Sequence, residues 1–135
     1  MTVGGLARWL TGELNGSIAV AQGGELVVSA QAGHDMNSGN SGSPARIDND
    51  GLVRWQGGTI RAWSGSRVTN RIAGGGRVRL TGGNQTWSGT TVLDGALELA
   101  GAAIFGEMAL TGAAPMEWTS GRLYGAVLVA AGSQM

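Results

Sequence analysis

Glycine interrupts this chain at short intervals over most of its length. No helix of useful length fits between such interruptions, because each glycine inside a helix costs about 1 kcal/mol relative to alanine. Glycine makes up 26 of the 135 residues, against a usual share of about 7%. Collagen would need glycine at every third position, and that spacing is absent.

The segments between the glycines alternate. Val78 and Leu80 sit two apart with Arg79 between them, and Leu97 and Leu99 flank Glu98 in the same way. A period of two is the mark of a strand with one buried face. Val78, Leu80, Leu97, Leu99 and Val129 are the expected inward residues. The tight corners between such short strands call for positive φ, which glycine adopts without steric cost. Charged residues are 13% of the chain, about half the usual share. Strands that each bury one side leave few places for charge.

The chain also repeats itself. Arg8-Trp9-Leu10-Thr11-Gly12-Glu13-Leu14-Asn15-Gly16 is echoed by Glu117-Trp118-Thr119-Ser120-Gly121-Arg122-Leu123-Tyr124-Gly125. Arg54-Trp55-Gln56-Gly57 repeats the front half, and Trp87 heads a looser copy. Trp9, Trp55, Trp87 and Trp118 therefore read as equivalent residues that head comparable units, at a corner or in the core. Repeats of short strands suit a solenoid, in which one inward row stacks on the next. The expected fold is all-β: a right-handed parallel β-helix of about five or six rungs, as one domain over residues 1–135. The alternative is an antiparallel β-sandwich or barrel, which short alternating strands also fit. The stretch from Gly33 to Gly51 is rich in Gly, Ser, Asn and Asp, and reads as one loop inserted between rungs.

The segment from Leu80 through Asn84-Gln85-Thr86-Trp87-Ser88-Gly89 to Leu97-Glu98-Leu99 resembles the autotransporter-associated β-strand repeat. That pattern runs roughly L-T-G-x-N-T-Y-S-G-x-T-x-V-x-x-G-T-L-x-L. Trp87 stands in place of the tyrosine and Ala96 in place of a threonine. The likeness covers residues 80–99. It implies a parallel β-helix, an extracellular or cell-surface setting in a bacterium, and a passenger, stalk or adhesin-like role. It carries no catalytic residues.

Formal net charge is zero, and every one of the nine basic residues is arginine. Six of them (Arg54, Arg61, Arg67, Arg71, Arg77 and Arg79) lie between Asp50 and Asp94, where no acid occurs. Such local positive fields attract anions. Arg77 and Arg79 share one side of a strand, and Arg67 is expected to align with them one rung away. Together with Arg61 and Trp63, the one tryptophan near them outside the repeat register, they form the candidate ligand site, for a glycan or polyanion.

Two motifs suggest other chemistry. Gly39-Asn40-Ser41-Gly42-Ser43-Pro44 resembles the nucleophile motif of trypsin-like serine proteases, with Ser41 as nucleophile. His34, the only histidine, lies shortly before it, whereas that family places its histidine far upstream. No catalytic residue is therefore assigned, and Ser41 stands as the outsider. Asp48-Asn49-Asp50-Gly51, with Asp35 nearby, offers oxygens of the kind calcium takes, but an Asx turn explains it as well. No metal and no cofactor is expected. Without cysteine there is neither a disulfide framework nor a thiolate metal site.

No apolar run approaches the length a membrane-spanning helix needs. The segment from Met1 to Arg8 lacks the basic and apolar regions of a signal peptide. The repeat begins near one end, at Arg8, and breaks off at the other. A piece of a longer repeat protein is expected, or open ends that stack on further copies, or an end covered by the loop at residues 33–51. The expected function is a non-enzymatic structural or adhesive module. A self-assembling fibre subunit and a carbohydrate- or polyanion-binding module are the alternatives.

Overall fold

The computed structural model describes residues 1–30, 33–36, 45–62, 67–70, 75–94, 96–111 and 116–130. Among them there is no helix, and all strands belong to one parallel sheet wound into coils. The first coil is β1 (Thr2–Val3), β2 (Leu6–Trp9) and β3 (Gly12–Leu14). The second is β4 (Ser17–Val20), β5 (Glu25–Val28) and β6 (His34–Met36), and the third is β7 (Arg46–Asn49), β8 (Leu52–Trp55) and β9 (Gly58–Ala62). Next come β10 (Arg67–Asn70) and β11 (Arg77–Leu80). Then β12 (Asn84–Asp94), β13 (Ala96–Thr111) and β14 (Met116–Leu123) are longer strands that run through corners, before β15 (Ala126–Val129).

The coils form three walls. The first wall stacks β1, β4, β7, β10, the end of β12, the end of β13, and β15. The second stacks β2, β5, β8, β11, and the starts of β13 and β14. The third stacks β3, β6, β9, the start of β12, the middle of β13 and the end of β14. The protein is a β-solenoid. The antiparallel alternative is excluded, because every pairing among the described residues is parallel.

Alternation dictates which side faces in. On the second wall Ala7, Leu26, Val53, Val78, Leu97 and Met116 form one unbroken column. Trp9, Val28, Trp55, Leu80, Leu99 and Trp118 form the next column on the same side. The central members of both columns are at most 2% exposed. Full burial of such a side chain contributes about 1.5–3 kcal/mol, and each rung adds two on this wall. Ile18, Ile47 and Val68 line the first wall from inside, and Met36 the third.

Glycine works at the corners. A side chain on Gly51 would run into the carbonyl oxygens of Gly24 and Ala21, and one on Gly125 into the backbone of Gly106. Asn49 braces the corner beside Gly51. Its side chain is buried, its Oδ1 accepts from the Gly51 N–H at 3.1 Å, and its Nδ2 donates to the Arg77 carbonyl at 2.9 Å. One amide so ties the first wall to the second wall of the next coil. Hydroxyls do similar work at the corner that follows the second wall. Ser29 donates to the Leu10 carbonyl at 2.8 Å, and Thr119 to that of Leu99 at 3.1 Å.

Three of the four tryptophans are equivalent as expected: Trp9, Trp55 and Trp118 share one column of the second wall, with Val28 between the first two and Leu80 and Leu99 between the last two. Three expectations change. Trp87 is not in that column at all, but on the third wall opposite Ile60 and Gly106. Gly33 to Gly51 is not one loop. It contributes β6 to the third wall and β7 to the first, because His34, Met36 and Ile47 supply inward side chains between polar neighbours. Val129 is 42% exposed, since no described strand stacks beyond β15.

Candidate functional site

The arginine stretch does not form one ladder. Arg77 and Arg79 share the outward side of β11, as expected, with Val78 and Leu80 inward. Arg67 lies on another wall, in β10, where its neighbours are Arg46 and Val92. Arg61 lies in β9 on the third wall, at the register of Asp35 and Ser88. The expected alignment of Arg67 with Arg77 and Arg79 does not hold, because β10 stacks between β7 and β12 whereas β11 stacks between β8 and β13. Trp63, Arg71 and Ser41 fall outside the described residues.

Much of the outward charge on the second wall is answered within it. Arg79 meets both oxygens of Glu98 on the next coil. Its Nη2 donates to Oε1 at 3.0 Å. Its Nε lies 2.7 Å from Oε2 as a close approach of charges, without the N–H aimed at the oxygen. The Glu98 side chain is only 11% exposed, so this pair is better shielded from water than an open surface pair. Hydrogen bonds between ionised partners are stronger than neutral ones. Arg54 pairs with Glu25 on the preceding coil. On the first wall Arg46 meets Asp48 at 3.3 Å. A polyanion approaching these walls would compete with carboxylates already in place.

His34 is buried on the inward side of β6. Its ring packs edge-on to Trp9 at 4.9 Å, and its Nε2 lies 3.1 Å from the Trp9 carbonyl oxygen. In the Asp48–Gly51 run Asp48 pairs with Arg46, and Asn49 closes the Asx turn to Gly51. Among the described residues no three His, Cys, Asp or Glu side chains gather at metal-binding spacing.

The third wall is different. Toward its last strand the outward residues are Asn84, Ala103 and Arg122 in one column, with Phe105 and Tyr124 beside them. The Phe105 and Tyr124 rings stack nearly parallel, 4.7 Å apart with 8° between their planes. Arg122 Nη1 donates to the Tyr124 hydroxyl at 3.1 Å. That hydrogen bond favours the charged guanidinium and raises its pKa from the ordinary value; like any arginine it is charged at working pH. These residues, with the glycines at the neighbouring corner, line an open groove of about 530 Å³. Sequence reasoning passed over them because Arg122 lies outside the arginine stretch. The signal present was the R-x-Y spacing at Arg122 and Tyr124, which places a cation and an aromatic ring on the same side of one strand.

No model of a known protein family matches this chain, and no similar curated protein or solved structure was found. No helix among the described residues is long and apolar enough to cross a membrane.

Proposed function

We propose that the chain is a non-enzymatic structural module of a bacterial surface or secreted repeat protein, an elongated spacer with adhesive potential. The observation that carries this reading is the unbroken inward column from Ala7 to Met116, in which every coil rests on the one before. Such a stack gains length one rung at a time, about 4.8 Å each, and transmits load through sheet hydrogen bonds. The resemblance of residues 80–99 to the autotransporter-associated repeat suggests the setting. Leu80 and Leu99, the two ends of that motif, are neighbours one rung apart, so the motif corresponds to one coil. Antibody labelling of intact against permeabilised cells tests the setting. Labelling of intact cells is the expected result, and labelling only after permeabilisation overturns it.

A second reading is self-association. Leu6 and Leu10 are exposed on or beside the first coil, and Trp118, Leu128 and Val129 on the last described strands. Exposed edge strands with apolar side chains invite pairing. Electron microscopy over a concentration series tests it: fibres lengthening with concentration support stacking, and discrete particles throughout reject it.

A further inference from the structure

Arg54 and Arg79 on the second wall meet carboxylates of neighbouring coils, but Arg122 meets a neutral hydroxyl. One rung from it stands Ala103, and one rung further Asn84. Rungs are about 4.8 Å apart. The two polar side chains therefore bracket a slot with a methyl floor, about one rung high. Phe105 and Tyr124 close one side, and the slot is open along the wall.

Each part restricts the ligand. A charged guanidinium with no carboxylate partner among the described residues selects an oxyanion, and a carboxylate matches its fork. Asn84 is exposed and offers both a donor and an acceptor, which suits hydroxyl groups. The aromatic pair, its rings turned to each other, offers apolar ring edges and the polar tip of Tyr124. The slot admits a flat ring entering edge-on, and its open length admits a polymer passing through.

We propose that this slot binds a uronate residue of an acidic polysaccharide. The carboxylate rests on Arg122, hydroxyls meet Asn84, and a C–H edge of the sugar ring lies against Phe105 and Tyr124. The site adds a ligand to the structural role and does not depend on where the chain is displayed.

Titration calorimetry of the full chain with a β-1,4-linked mannuronate trimer, set against the neutral mannose trimer, tests it. The uronate trimer should bind at least tenfold more tightly than the neutral one. Arg122→Gln should weaken uronate binding at least tenfold. Ala103→Leu should do the same, because it fills the slot without removing a polar group. Arg79→Gln, on another wall, should leave binding unchanged. No binding of the uronate trimer, equal affinity for both trimers, or full affinity in either R122Q or A103L overturns the proposal. Circular dichroism of each variant accompanies the titration. A retained β signal with lost binding localises the effect to the slot, while a lost β signal in the surface variant A103L counts against the wall assignment itself.

Discussion

The second and third walls share one chain and one rung spacing, yet they meet solvent differently. On the second wall Arg54 and Arg79 reach carboxylates on adjacent coils, and Glu98 is largely covered. On the third wall Arg122 is exposed and donates to Tyr124, beside a groove floored by Ala103. Arginine density by itself thus does not say how much charge an arginine stretch leaves unpaired. What matters is whether an acid stands one rung away. The arginine-rich middle of the sequence is spread over three walls and partly neutralised, whereas an arginine outside it keeps its charge available.

The core of the second wall should be the most sensitive place. Leu97→Asp puts an unpaired charge between Val78 and Met116. A loss of about 4 kcal/mol follows from burying such a charge, and urea unfolding should show little folded protein. A folded variant of unchanged midpoint would undo the wall assignment on which the contrast rests.

At the corners the effects should be smaller. Asn49→Ala strands the Gly51 N–H and the Arg77 carbonyl, at about 1–3 kcal/mol. Gly51→Ala forces a methyl against the Gly24 and Ala21 carbonyls, with a cost of about 1–3 kcal/mol. Thermal melts of both, followed at the β-sheet band, should fall by several degrees. An unchanged melt in N49A would show that the brace between walls is not needed.

Two arginines, one from each wall, give the most direct test. Arg79→Gln removes the partner of a carboxylate whose side chain is 11% exposed. Discounted for the exposed half of the pair, the loss should be about 1 kcal/mol. Arg122→Gln should leave the melting temperature unchanged. Equal losses in the two variants would erase the distinction between the walls. Ser29→Ala should matter least, since it removes one exposed hydroxyl bond to Leu10, about 0.5 kcal/mol. A larger drop in its melt would mean that the corner hydroxyls carry more of the stack than the brace at Asn49.

Local patterns in the sequence were enough for the fold class and much of the core. Frequent glycine excluded helices. The alternation at Val78/Leu80 and Leu97/Leu99 identified side chains that are indeed buried. Both signals act over a few neighbouring residues, through φ/ψ sterics and the period of the pleat, so they are readable without knowing what lies across the sheet. Wall membership was different. Steps between neighbouring rungs are unequal along the chain, longer from Leu26 to Val53 than from Ala7 to Leu26, so no fixed period in the sequence marks the rung. Only the tertiary stack put Arg79 beside Glu98, a whole coil further along the chain, and separated Arg67 from Arg77. It also turned His34 inward and let Asn49 join two walls. The candidate groove belongs to the same class. It depends on Ala103 standing between Asn84 and Arg122, three residues that meet only because successive coils hydrogen-bond in register.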